Sequence, residues 1–158
     1  MISERFGSLP NVIKIITPVV TLLCMLSLGL AHYQPAGTEF IWFVALFSLI
    51  FELIIVAFFA LEIEDLIVPK KLCTWPLVEC FLSLLFSILF FICMWLCVNG
   101  SEYGSTTAFS IAGFFCMTNF ILYAFDFALF LRIHISLTRL YETSVHEAAL
   151  NRTSYGAP

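Results

Sequence analysis

Along this chain the polar positions are few and bunched. Between the bunches run apolar stretches of a length that a lipid bilayer would need. A hydrocarbon core about 30 Å thick takes roughly 20 helical residues to cross. Four runs meet that length, at residues 12–32, 40–61, 76–98 and 108–131. The breaks between them have turn chemistry. Residues 33–37 read Tyr-Gln-Pro-Ala-Gly, residues 62–75 hold acids, two lysines and Pro69, and residues 99–105 are polar and glycine-rich. Pro76 opens the third run, where a missing N–H costs nothing. Pro18 lies inside the first run and predicts a kink or a late helix start. The first run is too long for the apolar region of a cleaved signal peptide. The pattern predicts an all-α membrane protein, an antiparallel four-transmembrane-helix bundle with short outer loops. It makes one domain, residues 12–131, between an N-terminal tail, 1–11, and a C-terminal tail, 132–158. Ile133, Leu137, Leu140 and Ser144 keep helical spacing, so residues 133–150 predict a continuation of the fourth span, while residues 151–158 read as disordered.

Periodicity shows which faces pack. On span one, Lys14, Thr17, Thr21 and Cys24 step by three and four; on span two, Ala45, Ser48 and Glu52 do the same. Span three carries Glu79, Ser83 and Ser87, and span four Ala112, Cys116, Asn119, Tyr123 and Asp126. Each span thus has one small or polar stripe on an otherwise lipid-like surface. Small residues at this spacing let helices approach closely in a membrane.

Composition excludes the soluble alternatives. Apolar residues make up 61% of the 158-residue chain and charged residues 11%, against about 45–50% and about 25% in ordinary globular domains. Mean hydropathy is +1.03. A small domain cannot hide that much apolar side chain from water, and a disordered chain would need the opposite composition. The net charge of −4 matters less than where the charges fall. All seven cations (Arg5, Lys14, Lys70, Lys71, Arg132, Arg139, Arg152) flank the same ends of the spans. By the positive-inside rule the N-terminus, the middle loop and the C-terminus are expected to be cytoplasmic. Tyr33, Trp42, Trp75 and Trp95 fall near span ends, where interfacial aromatics belong.

The candidate chemistry is intramembrane. Glu52, Glu79 and Asp126 are expected roughly 14, 5 and 8 Å from the cytoplasmic end of their spans at 1.5 Å per residue. Lys14 enters the same half, and Asn119 shares the stripe of Asp126. A carboxylate in lipid faces the bundle interior and finds a partner or a proton. Two readings follow: inward glue, paired with Lys14 and with hydroxyls, or a proton or cation pathway. The stripes do not continue as acids into the outer half, which favours glue. Of six cysteines none lies in an outer loop, so no extracellular disulfide framework is expected. Cys73, beside Lys70 and Lys71, is a candidate for palmitoylation. Asn99-Gly100-Ser101 matches an N-glycosylation sequon in the second outer loop. No catalytic triad, phosphate loop or metal-ligand spacing occurs, so neither an enzyme nor a metal site is expected. The outer loops are too short for a broad adhesive contact of about 1,200–2,000 Å².

At this point a family resemblance emerges. Leu9-Pro10-Asn11-Val12-Ile13-Lys14, Phe51-Glu52, Trp75-Pro76-Leu77-Val78-Glu79, Ala112-Gly113-Phe114-Phe115 and Tyr123-Ala124-Phe125-Asp126 come in an order and spacing that resemble the MARVEL domain. The closest resemblance is to its chemokine-like factor (CKLF-like) and plasmolipin/MAL branch. The match spans residues 5–135, with Ala112-Gly113-Phe114 in place of the commoner Phe-Gly-Phe. The resemblance implies a non-enzymatic four-pass protein of the plasma membrane or of endosomal and secretory vesicles. Its implied work is membrane organisation, vesicle trafficking or lateral escort of another membrane protein as an auxiliary subunit. The partners expected are the lipid bilayer and another transmembrane protein or a second copy, with no nucleic acid. No cofactor is expected, a bound lipid or sterol being the one candidate ligand. The alternative is a small proton- or cation-coupled transporter or channel component built on the intramembrane acids.

Overall fold

The computed structural model describes residues 9–61, 75–103 and 106–155. Among them there are helices and no strand: α1 (Leu9–Gly29), α2 (Thr38–Leu61), α3 (Trp75–Gly100), a 3₁₀ turn at Ser101–Tyr103, and α4 (Thr106–Tyr155). All four α-helices are long and apolar enough to cross a membrane.

The boundaries differ from expectation where local chemistry decides them. Helix α1 starts and stops three residues before the apolar run does. Pro10 suits a first turn, where no N–H is needed. At the other end the last turn tightens, with Leu30 N–H donating to Leu26 O at 3.2 Å and Ala31 N–H to Leu28 O at 3.2 Å. His32 lies beyond the helix and is exposed. The late start that Pro18 predicted is not found, because α1 runs through Pro18. Proline has no N–H for the carbonyl four residues earlier, that of Lys14. The adjoining turn carries side-chain bonds instead: Thr17 Oγ1 donates to Ile13 O, and Thr21 Oγ1 to Thr17 O, both at 2.9 Å.

Gly37 makes the α1–α2 turn at φ 98°, a left-handed conformation that glycine adopts without a Cβ penalty. Its carbonyl accepts from Phe40 N–H at 3.1 Å and so opens α2. The largest departure is in α4. Its 50 residues make a rod about 75 Å long, more than twice a bilayer core of about 30 Å. Residues 151–155, expected to be disordered, are helical. The chain from Glu147 contains good helix formers and no glycine or proline before Gly156. Extending an existing helix costs far less than starting one.

The helices pack as an antiparallel ring. Helix α4 lies most extensively against α3 and next against α1, while α2 touches both α1 and α3. Leu28, Ile41, Val44, Phe86, Phe90 and Phe109 fill the centre. Helices α3 and α4 approach closely at Gly113, where an added Cβ would stand 3.3 Å from Cys97 Cβ. Every residue of the four small or polar stripes is buried. Outside, large apolar side chains such as Val19, Phe43, Phe81 and Phe114 are exposed on all four helices.

Candidate functional site: a polar ladder inside the bundle

The lowest rung ties three helices together. Lys14 Nζ, on α1, donates to Glu79 Oε2 on α3 and to Asp126 Oδ2 on α4, the latter at 3.1 Å. Ser83 Oγ, one turn above Glu79, donates to the same Asp126 oxygen at 2.6 Å. The ammonium also lies 5.2 Å from the centre of the Phe130 ring, within cation–π range. All of these side chains are buried.

The next rung joins α4 to α2. Tyr123 OH donates to Glu52 Oε1 at 2.6 Å. Its ring is held between Phe86 and Phe90, with centroids at 5.3 and 5.6 Å, which fixes where the hydroxyl points. Above it Asn119 Nδ2 donates to Thr21 Oγ1 at 2.9 Å. Higher still, Cys24 Sγ meets Cys116 Sγ at 3.5 Å. Ser27 Oγ closes the series by donating to Ala108 O at 2.8 Å.

The register explains why these pairs meet. From Lys14 to Thr21 to Cys24 the steps on α1 are seven and three; from Asp126 to Asn119 to Cys116 they are seven and three in the opposite direction. Two antiparallel helices whose stripes share one period stay in register along their whole seam.

Of the five intramembrane polar residues singled out from sequence, Lys14, Glu79 and Asp126 come together. Glu52 stands apart with Tyr123, and Asn119 pairs with Thr21. Sequence reasoning did not assign Tyr123 as the donor to Glu52, Phe130 as the ring beside Lys14, or the meeting of Cys24 with Cys116. The shared seven-and-three step was the signal for the last of these. Four buried acceptors have no donor among the described residues: Glu52 Oε2, Glu79 Oε1, Asn119 Oδ1 and Asp126 Oδ1. The three carboxylate oxygens could each carry a proton, and all four could accept one further hydrogen bond.

The remaining candidates lie elsewhere. Asn99 is exposed in the last turn of α3, and Ser101 Oγ donates to Val98 O at 2.7 Å. Cys73 lies outside the described residues. Among the described residues no group of three or more histidine, cysteine or acidic side chains is placed to hold a metal. Two outward grooves between α3 and α4 offer apolar surface to lipid. One, of about 470 Å³, is lined by Leu77, Cys80, Phe81, Leu84 and Phe127. The other, of about 700 Å³, has Met94, Phe114, Met117 and Ile121 along it and Ser101 and Ser110 at one end.

Polar side chains turned inward and apolar ones outward, on helices of spanning length, define an all-α multi-pass membrane protein. Comparison of the chain with protein-family models, with curated proteins and with solved structures finds no match.

Proposed function

We propose that this protein is a non-enzymatic MARVEL-type membrane organiser or lateral adaptor, with both termini and the α2–α3 connection in the cytoplasm. It acts by offering helix faces to lipid or to the transmembrane segment of a partner. The observation that carries this reading is the division of chemistry. The polar side chains of the stripes are buried inside the bundle, most of them bonded along the ladder, whereas the outward surface is apolar on all four helices. Such a surface recognises membrane-embedded partners through shape and close packing. The resemblance to the chemokine-like factor and plasmolipin/MAL branch supports the same reading, as does the clustering of cations at one set of span ends.

The test is capture of the full-length protein from native membranes in mild detergent, with proximity labelling in parallel. One membrane protein recovered at stoichiometric yield is the result expected of an escort; lipid and self-oligomers alone are expected of an organiser. The unpartnered oxygens of Glu52, Glu79 and Asp126 favour one competing reading, a proton- or cation-coupled carrier. Flux through proteoliposomes that is present in the wild type and lost in both Glu52→Gln and Asp126→Asn would replace the first reading with that one. Orientation has its own check. Cys73 is expected to react with an impermeant thiol reagent from the cytoplasmic side, and labelling from outside would reverse the topology.

A further inference from the structure

The ladder has one rung that is not polar glue. Cys24 and Cys116 are both fully buried, on different helices, and 92 residues apart in sequence, yet their sulfurs are 3.5 Å apart. Hydrogen bonding does little there: Cys24 Sγ is 3.7 Å from Ala112 O, a long contact for a weak donor. Packing alone would be served by alanine or valine. What only two thiols in contact can do is join. A disulfide has an S–S length of about 2.05 Å, so these sulfurs need to close by about 1.5 Å. Closing them needs no sliding of α1 on α4, because the rungs on either side, Thr21 with Asn119 and Ser27 with the Ala108 carbonyl, already hold the two helices in register. Cys93 and Cys97 of α3 are buried in the same core cluster and are the natural competitors.

We propose that Cys24 and Cys116 form a reversible disulfide that locks α1 to α4 within the membrane. An oxidant must reach a dry interior, and organic hydroperoxides dissolved in the bilayer are of the right class. One thiol sulfur attacks the peroxide, the O–O bond breaks, and the thiol proton passes to the departing alkoxide to give an alcohol. The resulting sulfenic acid is attacked by the second thiol; the S–S bond forms and water leaves. Two thiols and one hydroperoxide thus become one disulfide, one alcohol and one water. Both sulfurs are fully buried, so access limits the step, which is slow and responds to sustained oxidant rather than to a brief pulse. The locked form holds the N-terminal span against α4, whose C-terminal part projects beyond the bundle.

The probe is cumene hydroperoxide, added to the full-length protein reconstituted in liposomes. After denaturation the free thiols are counted with a maleimide mass tag, and peptides are mapped without reduction. Expected are two fewer tagged thiols than the six of the untreated chain, recovery on reduction, and a cross-linked peptide pair containing Cys24 and Cys116. Cys24→Ser and Cys116→Ser each abolish the loss, while Cys80→Ser leaves it intact. Peptide mapping on the wild type does not depend on whether a variant folds. Retention of all six tags after prolonged exposure overturns the proposal. So does a cross-link that pairs Cys116 with Cys97, or that involves Cys73.

Discussion

Lys14 is shared by two carboxylates that arrive on different helices, and Ser83 adds a second donor to the Asp126 oxygen that Lys14 binds. In lipid no water can replace such a partner. Removing one member of a buried ion pair leaves an uncompensated charge and costs about 3–5 kcal/mol. Lys14→Met is therefore expected to lower stability by about that amount, measured by unfolding in mixed micelles with increasing SDS. The triple change Lys14→Met, Glu79→Gln, Asp126→Asn leaves no charge behind, so most of the loss should be recovered. A triple variant as unstable as Lys14→Met alone would mean that packing, not charge, sets the cost. Tyr123 works differently. Its hydroxyl is aimed by two flanking rings, so the Glu52 contact is an outcome of aromatic packing on α3 as much as of polarity.

Between elements, the seam of α3 with α4 depends on the absence of a side chain. An added Cβ at Gly113 would sit 3.3 Å from Cys97 Cβ. Gly113→Ala asks the neighbour to give a few tenths of an ångström. Gly113→Val forces the helices apart and should cost about 1–3 kcal/mol, as overpacked interiors do, read in the same SDS titration. The two parts of α4 should also separate in amide exchange. Residues 109–130 are packed against α1 and α3, whereas residues 135–147 are exposed. The latter should exchange much faster, and equal protection along the rod would show that something covers the projecting part. The stripes were legible in the sequence because burial in a helix obeys a fixed period: every residue they picked out is buried. The boundaries were not, because they turn on single features. A tightened last turn ends α1 early, and a helix already propagating carries α4 through Asn151 to Tyr155. Nor does periodicity say which stripe faces which. That Lys14 reaches Glu79 across the ring and Asp126 beside it, while Glu52 is left to Tyr123, depends on how high each helix is set against the others, which no single span encodes.

For the molecule as a whole, the described contacts close the ring without help from the projecting end of α4, whose side chains from Ile135 to Glu147 are exposed. Deleting residues 135–158 is therefore expected to leave the SDS midpoint unchanged to within about 0.5 kcal/mol, the scale of surface changes. A larger loss would place part of that segment in the fold. The projecting stretch has a mechanical consequence as well. Helix α4 contains no proline, so the segment that belongs to the ladder and the segment beyond it form one uninterrupted rod. From Leu131 to Tyr155 that rod extends about 37 Å. Helical spans answer changes in bilayer thickness by tilting. A tilt of about 10° of a rod with this rise per residue sweeps its far tip sideways by about 6 Å. The rod is a lever of two nearly equal arms, one gripped by charges in the membrane and the other turning the thickness of that membrane into displacement.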